Sequence, residues 1–414
     1  MLQPPSLQPL IPQEHTLPNG NTLYLFPNHS LGLVKLDITL EAGSAYQTFK
    51  SQAHAASQLF GEATTLHTAQ QMAEYTDFHG IVIERMADTC VSNISFYFLP
   101  QFADSLFPLI AEMFSSTLIT PQLFNAYVGH RRAQLKTNFQ KTSYLARNRH
   151  YEILYGADHP LGTYALPQDL DRLTLTAVAD FISKYYRLAS AHLVISGSVS
   201  PQLLALADQY LSPSHDTTTL QPISLACHNI HPTVTDHITL PDTVQSTIRI
   251  GRLLPFAWDS TDYSRFMVLN TVLGGYFGSR LMSNLREDKG YTYGIYSQTQ
   301  IFRHSIVMYI TADVAAQATE AAVTEINREI DLLRQKPVPD AELDRVRNFM
   351  MGDFIRSIDG TFEIAERYRH MVSTEIDERL STNLMETLAT VTPDQLLSLA
   401  QSTLTDLVTV TAGA

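Results

Sequence analysis

Cysteine is scarce in this sequence. Cys90 and Cys227 are the only two cysteines among 414 residues. Two are too few for a disulfide framework or for a metal site built from cysteine ligands. We therefore expect two reduced, buried thiols, with a single disulfide between them as the alternative.

Long hydrophobic runs are also missing. The sequence contains no stretch of about 18 apolar residues, so no membrane span is expected. The first residues, MLQPPSLQPLIPQEH, have neither a basic segment nor the apolar core that a secretory signal peptide needs. We expect a soluble protein located in the cytoplasm.

Basic residues are outnumbered by acidic ones. The chain has 28 Lys and Arg against 41 Asp and Glu, a net charge of −13. Proteins that bind nucleic acid usually carry a basic face, and anionic membrane surfaces attract the same kind of face. The charge argues against both partners. Phosphate-binding and dinucleotide-binding glycine motifs and the G-x-S-x-G motif of serine hydrolases are absent as well.

What is present is one structural plan, repeated. The strand GLVKLDITLEAGS opens the first half and the buried strand AHLVISGSV closes it, while STIRIGRLL and LVTVTAGA flank the second half. Ile38 and Val194 are 156 residues apart, and Ile250 and Val408 are 158 apart. The near equality predicts duplication of one unit. We expect an α+β fold of two homologous domains, each an antiparallel-rich sheet with helices packed on one side.

The segment between the halves is rich in Ser, Thr and Pro and lacks periodicity, as linkers do. We predict an N-terminal domain at 1–212, a linker at 213–237 and a C-terminal domain at 238–414. The linker holds His228 and His231 beside Cys227, with His237 close by. Such spacing could chelate a metal, but chance is the better explanation because a loop offers no rigid frame. In the second half, helical periodicity predicts long helices at about 314–335 and 340–372.

The stretch GGYFGSRLMSNLREDKGYTYGIYS, residues 274–297, predicts a helix, a turn and a strand. Lys289 and Gly290 are suited to end the helix, as a cation at its negative pole and a glycine with positive φ. In the strand, alternation places Tyr293 and Ile295 on one face. Arg286 precedes Tyr293 by seven residues, so the reversal can bring both side chains to one surface. The alternative is purely structural, because Arg favours a helix C-terminus and Tyr favours a strand.

The pattern LRE-x-K-G-x-x-Y resembles the C-terminal-half signature of the pitrilysin and mitochondrial-processing-peptidase family. The resemblance implies that Arg286 and Tyr293 bind the substrate peptide, while zinc is held elsewhere. Members of this family carry His-x-x-Glu-His on the first helix of the N-terminal half and a distal Glu on a later helix. Two His and a carboxylate bind zinc, and the intervening Glu activates water.

The family's zinc motif is degenerate in this chain. At its place stands AHAASQLFGEATT, in which His54 matches the first ligand, Ser57 replaces the Glu and Gln58 replaces the second His. The helix that should supply the distal Glu, FNAYVGHRRAQLKTNFQK, contains no acid. We therefore expect no metal and no cofactor in this chain, and zinc in a partner subunit.

These observations predict a non-catalytic subunit of a two-chain zinc metallopeptidase, one that helps to position peptide for a partner of the same family. The expected partner carries His-x-x-Glu-His, and without it the chain would pair with itself. Two alternatives remain open: a purely structural subunit of the core-protein type, and a homodimeric peptide-binding module without hydrolytic activity.

Overall fold

The computed structural model describes residues 11–213, 225 and 233–414. These residues form two sheets, one of six strands and one of five, with helices packed on them. The elements of the first half are β1 (Gln13–Thr16), β2 (Thr22–Pro27), β3 (Val34–Leu40), α1 (Gln52–Leu59), α2 (Ala69–His79), β4 (Val82–Ala87), β5 (Ser92–Phe98), α3 (Ala103–Ser116), α4 (Pro121–Asn138), α5 (Thr142–Tyr155), α6 (Leu175–Tyr185), β6 (His192–Gly197) and α7 (Pro201–Tyr210).

The second half repeats this series with small changes. Its elements are β7 (Thr235–Thr239), β8 (Gln245–Leu254), α8 (Thr261–Asn270), two π-helical segments (Thr271–Gly275 and Met282–Asp288), β9 (Thr292–Phe302), β10 (Ser305–Ala315), α9 (Thr319–Gln335), α10 (Asp340–Ser357), α11 (Thr361–Thr374), α12 (Arg379–Thr390), α13 (Pro393–Thr403) and β11 (Val408–Gly413).

The two sheets share one topology. The first runs β1-β2-β6-β3-β5-β4 and the second runs β7-β11-β8-β10-β9, so the second reproduces the first without its edge strand β1. Strands β2 and β6 are parallel in the first sheet, and β7 and β11 are parallel in the second. All pairs that come after them in the two strand orders are antiparallel. The order of strands confirms the predicted α+β fold and its internal duplication.

Each half builds its main core between one sheet face and its own helices. In β3 the residues Val34, Leu36 and Ile38 point into the first core, and in β8 Ile248 and Ile250 point into the second. All five are fully buried. Alternate side chains of a strand lie on opposite faces, so the intervening residues must be covered by something else.

That cover comes from the other half of the chain. Helix α5 of the first half packs on β8 and β11, and helix α11 of the second half packs on β2, β3 and β6. Ala146 and Ala365 occupy the same position in these two helices, four residues after the first helical residue, and both are fully buried. The prediction of helices on one side of each sheet is thus extended by one exchanged helix on the opposite face.

Sequence periodicity missed α5, α7 and α12, and it merged α10 with the exchanged helix α11. The helix predicted at 340–372 is two helices, because Gly360 lies between them with φ of 130°. No element was predicted at 142–155, where α5 lies. Its buried residues Ala146, His150 and Leu154 recur every four positions, but only one of them is a large apolar residue. The sheet face that α5 covers is mixed, with Arg249 beside Val408 and Val410, so the helix needs no continuous apolar stripe that periodicity would reveal.

Several predictions concern segments that the structure covers only in part. Helix α7 ends at Tyr210 and β7 begins at Thr235. Most residues between these two elements lie outside the described ranges, so the predicted domain and linker boundaries stay predictions. Cys90 is a free thiol. The possible metal-chelating residues of the linker lie outside the described residues, namely Cys227, His228 and His231. His237 lies in β7, where its Nδ1 is 2.8 Å from Thr411 Oγ1. No helix in the described part of the chain is long and apolar enough to cross a membrane.

Candidate functional site

The predicted reversal around Arg286 is present, but its helix is π-helical. The segment Met282–Asp288 has the wider π turn, and Gly290 closes the reversal with φ of 66°. The backbone N–H of Tyr291 donates to the carbonyl of Leu285 at 2.9 Å, which holds the start of β9 against the helix. Leu285 is fully buried, so this part of the reversal is anchored in the core of the second half.

A β-bulge decides where Tyr293 points. Ile295 pairs with Ala312 and Thr292 pairs with Val314, so two residues of β9 lie opposite Asp313 alone. The hydroxyl of Thr292 donates to the Asp313 carbonyl at 2.7 Å. A bulge shifts the alternation by one residue. As a result Ile295 is fully buried and Tyr293 is 93% exposed, and the prediction that they share a face is wrong.

Arg286 and Tyr293 do not contact each other. The guanidinium of Arg286 lies 4.6 Å from the ring centroid of Phe277, a cation–π distance. Neither Arg286 nor Tyr293 has a hydrogen bond or ion pair with any residue in the described ranges. Both therefore keep their donors available, the planar fork of the guanidinium and the phenol hydroxyl. Such donors suit peptide carbonyls and carboxylates.

Phe277 is a site residue that sequence reasoning missed. It is 58% exposed, whereas the preceding Tyr276 turns inward and packs on Phe349 at 5.0 Å between ring centroids. The available signal was an aromatic residue within the glycine-rich turn GGYFGS, where no helix or strand periodicity required one. The ring of Phe277 attracts the guanidinium of Arg286 through this cation–π contact.

The degenerate zinc position lies on α1. His54 is half-buried and its Nδ1 is 3.0 Å from the hydroxyl of Tyr127 on α4. Burial, with the charges of Arg131 and His130, lowers the pKa of His54 to about 4. Ser57 is fully buried.

Gln58, at the place of the second histidine ligand, points to the surface. It is exposed, and its amide nitrogen donates to the Arg85 carbonyl at 3.2 Å. The three positions that would hold and activate zinc therefore do not converge on one point. The helix spacing is kept, but the side chains at these positions serve different local contacts.

The residues around His54 do not fit zinc. Within the described ranges no three His, Cys, Asp or Glu side chains come together in a way that could hold a metal ion. Helix α4, expected to supply the distal carboxylate, instead presents the hydroxyl of Tyr127 and the cation of Arg131 near His54. A divalent cation there would be repelled by Arg131 rather than neutralised.

Comparison with known proteins agrees with this geometry. Residues 172–350 match the family model described as the peptidase M16 inactive domain. Over these residues, which make up less than half of the chain, the sequence is similar to the peptidase M16 family. This is the family of the pitrilysin-type and processing peptidases that the sequence resembles.

Proteins similar to this chain are named both as zinc proteases and as non-peptidases. The uncharacterized zinc protease YmxG of Bacillus subtilis is 20% identical over 357 residues, which are 84% of this chain and 85% of that protein. The non-peptidase homolog YmxG of Helicobacter pylori is 22% identical over 303 residues, 71% of this chain and 68% of that one. The crystal structure of a peptidase M16 inactive domain from Pseudomonas fluorescens has the same fold, with a TM-score of 0.81 at 20% identity over 97% of this chain and 98% of that chain.

Proposed function

We propose that this chain is the non-catalytic subunit of a two-chain zinc peptidase, and that it binds and positions peptide for a zinc-bearing partner of the M16 family. One observation carries the proposal. Arg286 and Tyr293 present unengaged hydrogen-bond donors on the two arms of a rigid reversal, in a chain whose own zinc position is degenerate. A scaffold protein has no need of such donors.

The surface around these donors supports association. Phe277 is 58% exposed, Tyr293 93% and Tyr296 46%. They lie on or next to β9, which forms an edge of the second sheet. Exposed aromatic side chains are typical of protein or peptide binding sites. An obligate pair of subunits would bury on the order of 2,000 Å² or more.

The role of Arg286 is tested in the reconstituted pair. The partner for this test is an M16 protein with His-x-x-Glu-His, to be identified by co-purification with this chain, and kcat/KM on a peptide substrate is measured with each variant. Arg286→Ala removes a charged donor, so we expect a loss of roughly 10²–10³ in rate. Tyr293→Phe removes one neutral hydrogen bond and should cost about 1 kcal/mol.

A matched control separates this role from a general effect of charge. Arg265 lies on α8, 21 residues before Arg286, and forms an ion pair with Asp262 at 3.0 Å. Arg265→Ala should leave kcat/KM unchanged. Full activity of Arg286→Ala in an intact complex would refute the proposed function, and so would a chain that stays monomeric with and without the partner in light scattering.

We place this function in the cytoplasm as part of the proposal. Cell fractionation with an antibody against the chain tests the location, and recovery of the chain from the periplasm would refute it.

A further inference from the structure

A small cavity occupies the place of the degenerate zinc site. Its volume is about 170 Å³, and its lining includes His54, Lys50, Ser51 and Arg131. The lining contains two permanent cations and no acidic residue. Asp169, which is not part of the lining, has its Oδ2 3.8 Å from Lys50 Nζ, and this oxygen accepts the backbone N–H of Leu166 at 2.7 Å. The cavity is therefore positively charged.

Two polar groups of the lining are buried without a partner. Ser51 is 5% exposed and its Oγ has no hydrogen-bond partner, and the Nε of Arg131 is buried and unpaired. Ser51 also has φ of 68°, a left-handed conformation that costs energy in a residue other than glycine. Buried donors that lack a partner destabilise the free protein, so a ligand that accepts from them would be favoured.

An adjoining cavity limits the charge of that ligand. It has a volume of about 330 Å³, shares Ser44, Ala87 and Thr163 with the first, and extends to Gln300 and Phe302 of the second half. Its lining includes one cation and one anion, Arg147 and Asp88. The uncompensated positive charge is thus confined to the smaller cavity. A ligand with one anionic group and an uncharged body matches this distribution.

We propose that the former zinc position has become a carboxylate-binding site, in which Arg131, Lys50 and Ser51 hold the carboxylate of a peptide C-terminus while the peptide body lies in the adjoining cavity. Arg forms paired, charge-assisted hydrogen bonds with carboxylates, and Ser adds a neutral donor. The site is independent of Arg286 and Tyr293, so failure of either proposal leaves the other standing.

The purified full chain, without a partner, is titrated in a calorimeter with an acetylated alanine tetrapeptide as the free acid and as the C-terminal amide. We expect saturable binding of the free acid at one site per chain, competition by sodium acetate and no binding of the amide. Arg131→Gln and Lys50→Gln should each weaken binding about tenfold or more, since a hydrogen bond to a charged group is lost. Arg356→Gln makes the same charge change on the exposed surface of α10 and should not.

Equal binding of acid and amide, no saturable binding of the acid, or undiminished binding by Arg131→Gln would each overturn the proposal. Displacement of the peptide by inorganic phosphate but not by acetate would overturn the assignment to a carboxylate. Circular dichroism of each variant establishes that it is folded. Because the side chain of Lys50 is 41% exposed, Lys50→Gln supplies the decisive result if Arg131→Gln fails to fold.

Discussion

Replacing Lys35 by methionine should strongly destabilise the protein, because it leaves a buried carboxylate without its cation. The side chain of Lys35 is 5% exposed and that of Asp37 is fully buried, with Nζ and Oδ2 3.0 Å apart. The other oxygen of Asp37 accepts the hydroxyl of Ser95 at 2.5 Å. Lys35 also lies 3.0 Å from Glu366 on α11, so this ion pair joins the two halves.

The expected loss follows from burial. Burial alone would lower the pKa of Lys35, but attraction to Asp37 and Glu366 outweighs it and raises the pKa above its usual value. Removing one partner of a buried pair typically costs about 3–5 kcal/mol, since the remaining charge is unpaired in a medium of low dielectric constant. Methionine has a stem of similar length to lysine, so little packing is lost.

The effect is measured by urea unfolding. Circular dichroism monitors the whole chain, and fluorescence of Trp258 monitors the second half. We expect Lys35→Met to lower the free energy of unfolding by several kcal/mol. The unfolding midpoints seen by circular dichroism and by fluorescence should both shift, because α11 belongs to the second half and packs on the first sheet. Lys35→Met combined with Asp37→Asn should recover much of the loss, since no unpaired charge remains.

Lys336→Met, an exposed lysine, serves as the control and should change the free energy of unfolding by about 0.5 kcal/mol or less. A loss below about 1 kcal/mol in Lys35→Met, or no recovery in the double variant, would refute the reasoning. A shift seen by circular dichroism alone would show that the halves unfold separately.

The remaining predictions concern the interface of the halves and the zinc position. Complete burial lowers the pKa of His150 to about 3, so the folded state takes up this proton at lower pH than the unfolded state. The free energy of unfolding should therefore fall as pH drops from about 6.5 towards 3. In His150→Leu the free energy of unfolding should depend less steeply on pH over this range, and an unchanged dependence would contradict the reasoning. Gly251→Ala should cost about 1–3 kcal/mol in thermal or urea unfolding, because an added Cβ would collide with the carbonyl oxygen of Met308, a backbone atom that cannot swing away. Ser57→Glu combined with Gln58→His should bind no stoichiometric zinc and hydrolyse no peptide, since α4 still lacks the distal carboxylate; one tightly held zinc per chain in metal analysis would contradict it.

Much of this protein could be predicted from the sequence because the signals are local. The apolar alternation of Val34, Leu36 and Ile38 identifies a strand and its core-facing side wherever the strand is placed. Gly290 ends the helix before β9 through its own φ preference. The loss of the zinc ligand at Gln58 and of the water-activating Glu at Ser57 can likewise be read from the sequence, since a motif on one helix depends only on spacing along that helix.

Tertiary structure alone decided what covers the second face of each sheet. Lys35 and Asp37 alternate with apolar residues and look like a solvent-facing edge, yet both are buried because α11 arrives from the other half of the chain. The direction of Tyr293 depends on a bulge opposite Asp313, a residue of the neighbouring strand. Periodicity reports which residues share a face, but the element that packs on that face is set by contacts between residues far apart in the chain.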